Sequence, residues 1–133
     1  MNTTAFCELV HTTRDTLRYY DSIGLLKPRR SENGYRDYTS ADSTTYNIIQ
    51  NLKAAGLSLN EISQVLQLQN QPITSDCRQS VLTMIQEKND YFTAQYHFYA
   101  QLMAIASQMS TEVQNNHQEK LDGLIEKLGY LDD

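Results

Sequence analysis

Apolar residues recur along this chain in short stripes three or four positions apart, interrupted by glycine, proline and an Asn-Gly pair, and that pattern predicts a mainly α protein. Ala5 to Val10 places Phe6, Leu9 and Val10 at helical spacing, with Thr4 as the expected N-cap. The pattern breaks at His11 and Thr12. Thr12 followed by Asp15 predicts a cap with an acidic residue in the first turn of a second helix. Its inward stripe is Leu17, Tyr20 and Ile23, Gly24 ends it, and Arg14, Arg18 and Tyr19 are left pointing away from the core.

Two short helices joined by a tight turn make a helix-turn-helix, whose second helix is of a size that the DNA major groove admits. Pro28 forbids a continuing helix, and Asn33-Gly34 is a turn signal between short extended pieces, so residues 27–38 read as a small hairpin, or wing. Thr39 with Asp42 then predicts a capped helix with Tyr46, Ile49 and Leu52 on its apolar face, widened by Ile48 and stopped by Gly56. Ser58 with Glu61 is a capping box that opens a further short helix carrying Leu59, Ile62, Val65 and Leu66.

After the polar stretch Gln67 to Ser75, with Pro72 inside it, a run free of proline and glycine extends from about Asp76 to Lys120. Leu82, Asn89, Tyr96, Met103 and Ser110 repeat every seven residues in it, as do Ile85, Phe92, Tyr99, Ala106 and Val113 three places later. This is an a/d heptad seam. A helix of about forty residues spans roughly 60 Å at a rise of about 1.5 Å per residue, more than a small head domain can cover, so the seam calls for a partner chain. Leu121, Leu124, Ile125 and Leu128 form a last amphipathic piece that ends at Gly129 and is expected to fold back on a neighbouring surface. The expected organisation is a DNA-binding winged helix-turn-helix over residues 1–70, a coiled-coil dimerisation helix over 76–118 and a short C-terminal helix over 119–133.

Charge alters the picture only through its distribution. The chain of 133 residues carries a net charge of −5, which by itself disfavours DNA. Between Arg14 and Arg36, however, six cations face three anions, whereas from Leu59 onward four cations face ten anions. A basic head on an acidic body follows. No run approaches the roughly twenty apolar residues of a membrane span and the first residues lack a signal peptide's basic and apolar regions, so the expected location is the cytoplasm, with no membrane partner. Cys7 and Cys77 lie far apart in no ligand spacing, and His11, His97 and His117 share none. No metal or other cofactor is implied. An enzyme is disfavoured because no nucleophile, base and orienting group occur together and no phosphate-cradling glycine loop exists.

Four motifs in order, Asp15-Thr16-Leu17-Arg18-Tyr19-Tyr20-Asp21, Ile23-Gly24-Leu25-Leu26-Lys27-Pro28, Glu32-Asn33-Gly34-Tyr35-Arg36-Asp37-Tyr38 and Gly56-Leu57-Ser58-Leu59-Asn60-Glu61-Ile62, closely resemble the MerR family of bacterial transcription regulators. The resemblance covers about Ala5 to Leu68. It implies a homodimer paired antiparallel through the long helix, bound to a palindromic operator in a long promoter spacer that it distorts, where RNA polymerase is the further partner. Bending and untwisting would then contribute specificity at bases the protein never touches. Carried over by position, Arg14 and Arg18 look like the groove-facing pair, with Thr16 and Tyr19 near the backbone or base edges. Arg29, Arg30, Asn33, Tyr35 and Arg36 look like wing contacts to phosphates, Lys53 like a basic position near the backbone, and Tyr38 like a phosphate contact or a packing residue. The dimer contacts fall on Leu82, Ile85, Asn89, Phe92, Tyr96, Tyr99, Met103 and Ala106.

Other readings stand beside these. Cys77 lies where metal-sensing members of the family place a thiolate, but no cysteine follows it, so a simple packed or exposed thiol is the better reading. Tyr91, Phe92, Tyr96, Phe98 and Tyr99 are dense enough to stack a flat effector, yet the heptad already accounts for Phe92, Tyr96 and Tyr99. The competing function is a protein-interaction module working through the coiled coil, with a winged head that no longer reads DNA.

Overall fold

The computed structural model describes residues 1–69 and 71–132, which fall into two compact units, a head over Met1–Pro72 and a tail over Ile73–Asp133. In the head, helix α1 (Thr3–Val10) begins at Asn2, whose side chain accepts from the backbone N–H of Ala5 at 2.8 Å. Helix α2 (Arg14–Ser22) begins at Thr13, which accepts from the N–H of Thr16 at 3.2 Å. The expected caps, Thr4 and Thr12, are each displaced by a better-placed neighbour. Both helices start in runs of polar residues able to cap, and His11, at φ 57°, fixes which one does so for α2.

Ile23 departs from its expected place, being 45% exposed. Gly24 at φ 76° reverses the chain, and Leu25 and Leu26 both donate their N–H to the Tyr20 carbonyl, at 2.9 and 3.2 Å. The apolar stripe that Leu17 and Tyr20 begin is therefore completed by Leu25 and Leu26, both buried. Strands β1 (Arg29–Arg30) and β2 (Arg36–Asp37) pair antiparallel, with Arg29 opposite Asp37 and Arg30 opposite Arg36. Gly34 donates to the Ser31 carbonyl at 2.9 Å and takes φ 81°, so the glycine alone of the Asn-Gly pair supplies the left-handed residue.

Helix α3 (Ser40–Ala54) and helix α4 (Leu59–Gln67) both open on complete capping boxes, Thr39 with Asp42 and Ser58 with Glu61. The core of the head joins Phe6, Leu17, Tyr20, Leu25, Leu26, Tyr38, Tyr46, Ile49, Leu57 and Ile62. Phe6 is its centre, stacked on Tyr38 at a centroid distance of 4.3 Å and edge-on to Tyr46 at 6.4 Å.

The tail is built on helix α5 (Ser75–Gln114), 40 residues long, whose first turn is capped by Thr74. It ends six residues short of Lys120. Asn116 enters the left-handed region at φ 58°, which asparagine tolerates well, and His117 donates its N–H to the Glu112 carbonyl at 3.0 Å. Helix α6 (Gln118–Lys127) and a 3₁₀ turn (Leu128–Tyr130) then run back along α5. The Gln101 side-chain amide closes this return by exchanging hydrogen bonds with the backbone of Asp132, at 2.8 and 3.1 Å. Leu124 is the residue of α6 that this packing buries. α5 itself buries none, and its seam residues Leu82, Ile85, Phe92, Tyr96, Tyr99 and Met103 are exposed, Tyr96 and Met103 by 70% and 71%.

Candidate nucleic-acid interface

Three parts of the head border one open cleft of about 620 Å³. The first turn of α1 supplies Asn2, Thr3 and Thr4, α2 supplies Arg14 and Arg18, and the hairpin supplies Arg30, Gly34, Tyr35 and Arg36. Four guanidinium groups thus share a concavity that holds no carboxylate among its described lining residues. Such a surface attracts polyanions, and Arg in particular matches the forked geometry of phosphate and of the guanine edge.

Asp21, near the end of α2, organises the hairpin side. Its Oδ2 accepts from Arg36 Nε at 2.8 Å and from Arg30 Nη2 at 3.1 Å, and its side chain is only 12% exposed. Arg30 also donates through Nη1 to the Gly34 carbonyl at 3.0 Å, so one arginine ties the hairpin loop to α2. On the other side Arg14 donates through Nη2 to Thr4 Oγ1, which fixes it against α1. Arg18 is the freer of the pair, 62% exposed and 4.0 Å from Asp15, a separation at which an exposed ion pair restrains it little.

Tyr19 and Tyr35 are exposed, as are Asn33 and Arg29, whose guanidinium stands 3.9 Å from Asp37. Thr16 is half-buried, its hydroxyl 2.9 Å from that of Thr13. Lys53 reaches Tyr20, donating to its hydroxyl at 3.4 Å, where Gln50 also donates at 3.3 Å. Tyr38 is the exception. It is 2% exposed in the core, its hydroxyl has no hydrogen-bond partner among the described residues, and burial raises its pKa above the ordinary value. Packing, not phosphate contact, is what that position allows. No local pattern marks Asp21 as an organiser, since its partners lie 9 and 15 residues away.

Asp37 has its carboxyl pulled below the usual range, first by the hydrogen bond from the Met1 ammonium at 2.9 Å and by that group's charge, then by Arg29. Cys77 is exposed and its thiol is lowered, chiefly because the Thr74 hydroxyl donates to its sulfur at 3.2 Å. Among the described residues no group of three or more His, Cys, Asp or Glu could hold a metal ion, and no helix is long and apolar enough to cross a membrane.

The model of MerR HTH family regulatory proteins matches residues 1–69, the stretch that contains the whole cleft. This chain belongs to the MerR family. Among its relatives is the HTH-type transcriptional regulator HmrR of Rhizobium leguminosarum bv. viciae, 43% identical over 53 residues, which are 40% of this chain and 41% of HmrR. A second, named "Probable heavy metal-dependent transcriptional regulator", from Haemophilus influenzae, is 39% identical over 85 residues, 62% of this chain and 66% of that protein. The chain thus spans less than two thirds of the length of either relative. Among solved structures, the MerR-family regulator HiNmlR, described as lacking the sensor domain and bound to promoter DNA, superposes with a TM-score of 0.62 at 25% identity, covering 92% of this chain and 94% of HiNmlR. The MerR-type match extends in the fold, though not in the family model, through α5.

Proposed function

We propose that this MerR-family chain is a transcription regulator that binds a palindromic promoter operator as a homodimer. The observation that carries the reading is the cleft where Arg14, Arg18, Arg30 and Arg36 converge from α2 and the hairpin. α2 enters the major groove with Arg18 and Tyr19 at base edges and Arg14 and Thr16 near the backbone. Arg29, Arg30, Asn33, Tyr35 and Arg36 lie along the flanking phosphates, and Lys53 approaches the backbone beyond them. Arg30 and Arg36 reach the duplex already oriented by Asp21, so less side-chain freedom is lost on binding.

The two copies pair antiparallel through α5. The exposed row Leu82, Ile85, Phe92, Tyr96, Tyr99 and Met103, with Asn89 and Ala106 in register, supports this, because a soluble chain leaves so continuous an apolar stripe bare only where something covers it. Distortion of the promoter spacer, with RNA polymerase as the responding partner, is part of the same proposal, supported by the resemblance to the family.

The test is a fluorescence-anisotropy titration of a fragment selected from random duplexes, at fixed salt. Arg18→Ala is expected to weaken that site by about 1–3 kcal/mol while leaving unrelated DNA nearly unaffected. Equal affinity of wild type and variant for the selected site contradicts the reading.

A further inference from the structure

A second cleft, of about 430 Å³, lies within the tail between α5 and α6. Its size is inside the range of roughly 300–1,000 Å³ that small-molecule sites occupy. α6 lines it with Lys120, Gly123, Leu124 and Lys127, and α5 with Gln108, Thr111 and Glu112. Lys120, Leu124 and Lys127 stand at i, i+4 and i+7 and so form one stripe of α6. The acids of that helix, Glu119, Asp122 and Glu126, form a different stripe and do not line the cleft. Among the described residues neither lysine ammonium has an ion-pair or hydrogen-bond partner. Glu112 on the facing helix makes no ion pair with either lysine, and its Oε2 lies 2.7 Å from His117 Nδ1.

Gly123 is the telling residue. Glycine in a helix interior is less favourable than every ordinary residue except proline. Yet Gly123 is not in the left-handed region, and a Cβ built on it meets nothing within 4 Å. Neither the backbone nor a close neighbour requires glycine there. What its lack of a side chain achieves is open space in the wall of the cleft, between the two lysines.

In the heptad frame whose a and d positions form the seam, Gln108, Thr111 and Glu112 fall at f, b and c. The cleft therefore opens away from the seam and stays accessible in the dimer, a point that rests on the pairing proposed above. We propose that this cleft is a binding site for a small alkyl or aryl carboxylate, whose headgroup pairs with Lys120 and Lys127 and whose apolar body lies on Leu124 and across Gly123.

The experiment is an amide-NMR titration of the full chain with sodium octanoate, with 1-octanol as the uncharged control. Saturable shifts confined to the facing stretches of α5 and α6 are expected, with octanol weaker by about tenfold or more. Lys120→Gln and Lys127→Gln should each weaken octanoate by about fivefold, as the loss of one exposed charge pair does. Gly123→Leu should abolish binding by filling the space, whereas Gly123→Ala should raise the tail's melting temperature and still weaken octanoate, a combination that a purely structural glycine does not produce. If Gly123→Leu fails to fold, the two lysine variants, which alter only side-chain ends, carry the decision. Shifts spread along the seam, equal binding of octanol, no saturable shift, cleft shifts that appear on protein concentration alone, or lysine variants of unchanged affinity would each overturn the proposal. Anisotropy titrations of the same variants with DNA keep this outcome separate from that for the head.

Discussion

In the head, residues from four helices and the hairpin bury one another around Phe6, while in the tail, among the described residues, Leu124 is buried and the 40-residue α5 buries nothing. Both units are helical and capped, so local sequence preference is not what separates them. The difference is tertiary. The head closes its apolar surface within one chain and can hold its arginines at fixed positions, whereas the tail turns one side of α5 toward α6 and leaves the seam residues on α5 exposed. A closed core and an exposed apolar seam are thus encoded in one short sequence by where the apolar positions fall relative to the helical repeat.

Substitutions can break that contrast from either end. The largest effect is expected from Phe6→Ala, which removes the ring stacked on Tyr38 and edge-on to Tyr46 and should cost the head about 3–5 kcal/mol in chemical denaturation, leaving dimer formation by α5 in place. Loss of both together would mean that the two units do not fold as separately as their cores suggest. Next, Phe92→Asp in the seam should raise the dimer dissociation constant by about a hundredfold, read by sedimentation equilibrium, while the head's own unfolding transition is retained. An unchanged dimer would remove the seam from the account.

A smaller effect is expected from Asp21→Asn, which leaves Arg36 and Arg30 without their shared carboxylate. Stability of the head should fall by about 1–2 kcal/mol, and DNA affinity should fall with it because the hairpin arginines lose their orientation. The smallest change, opposite in sign, belongs to Tyr38→Phe. Deleting a buried hydroxyl without a partner should stabilise the head by up to about 1 kcal/mol and leave DNA binding unaltered. The same residue sets a pH dependence. Burial raises the Tyr38 pKa in the folded head, so the neutral phenol is favoured there. Its contribution is complete below the unfolded value near 10 and is lost as pH rises through the folded value. Melting curves of wild type should thus fall more steeply above that pH than those of Tyr38→Phe.

Much of this fold is legible in the sequence wherever a signal is local. The Thr39–Asp42 and Ser58–Glu61 boxes, the left-handed Gly34 and the long helix without proline or glycine each rest on residues a few positions apart, and each element forms where its signal lies. Helix starts are less legible where polar residues crowd. Asn2 and Thr13 cap α1 and α2 in place of Thr4 and Thr12 because several adjacent side chains have the chemistry and only the path of the chain selects one. Ile23 has the right spacing for the core, but it falls beyond the last turn of α2, where Gly24 has already redirected the backbone. Asp21 and the burial of Tyr38 are invisible locally, since both depend on the hairpin folding back over α2 and α1. The end of α5 at Gln114 turns on a single left-handed asparagine, which a pattern of apolar positions does not register.

In the proposed dimer, two heads are delivered to one duplex by a shared seam. Sedimentation of the protein with a selected operator fragment measures this directly, through the mass of the complex. Two chains per duplex are expected at saturation, and a saturated complex of one chain per duplex would rule the shared seam out.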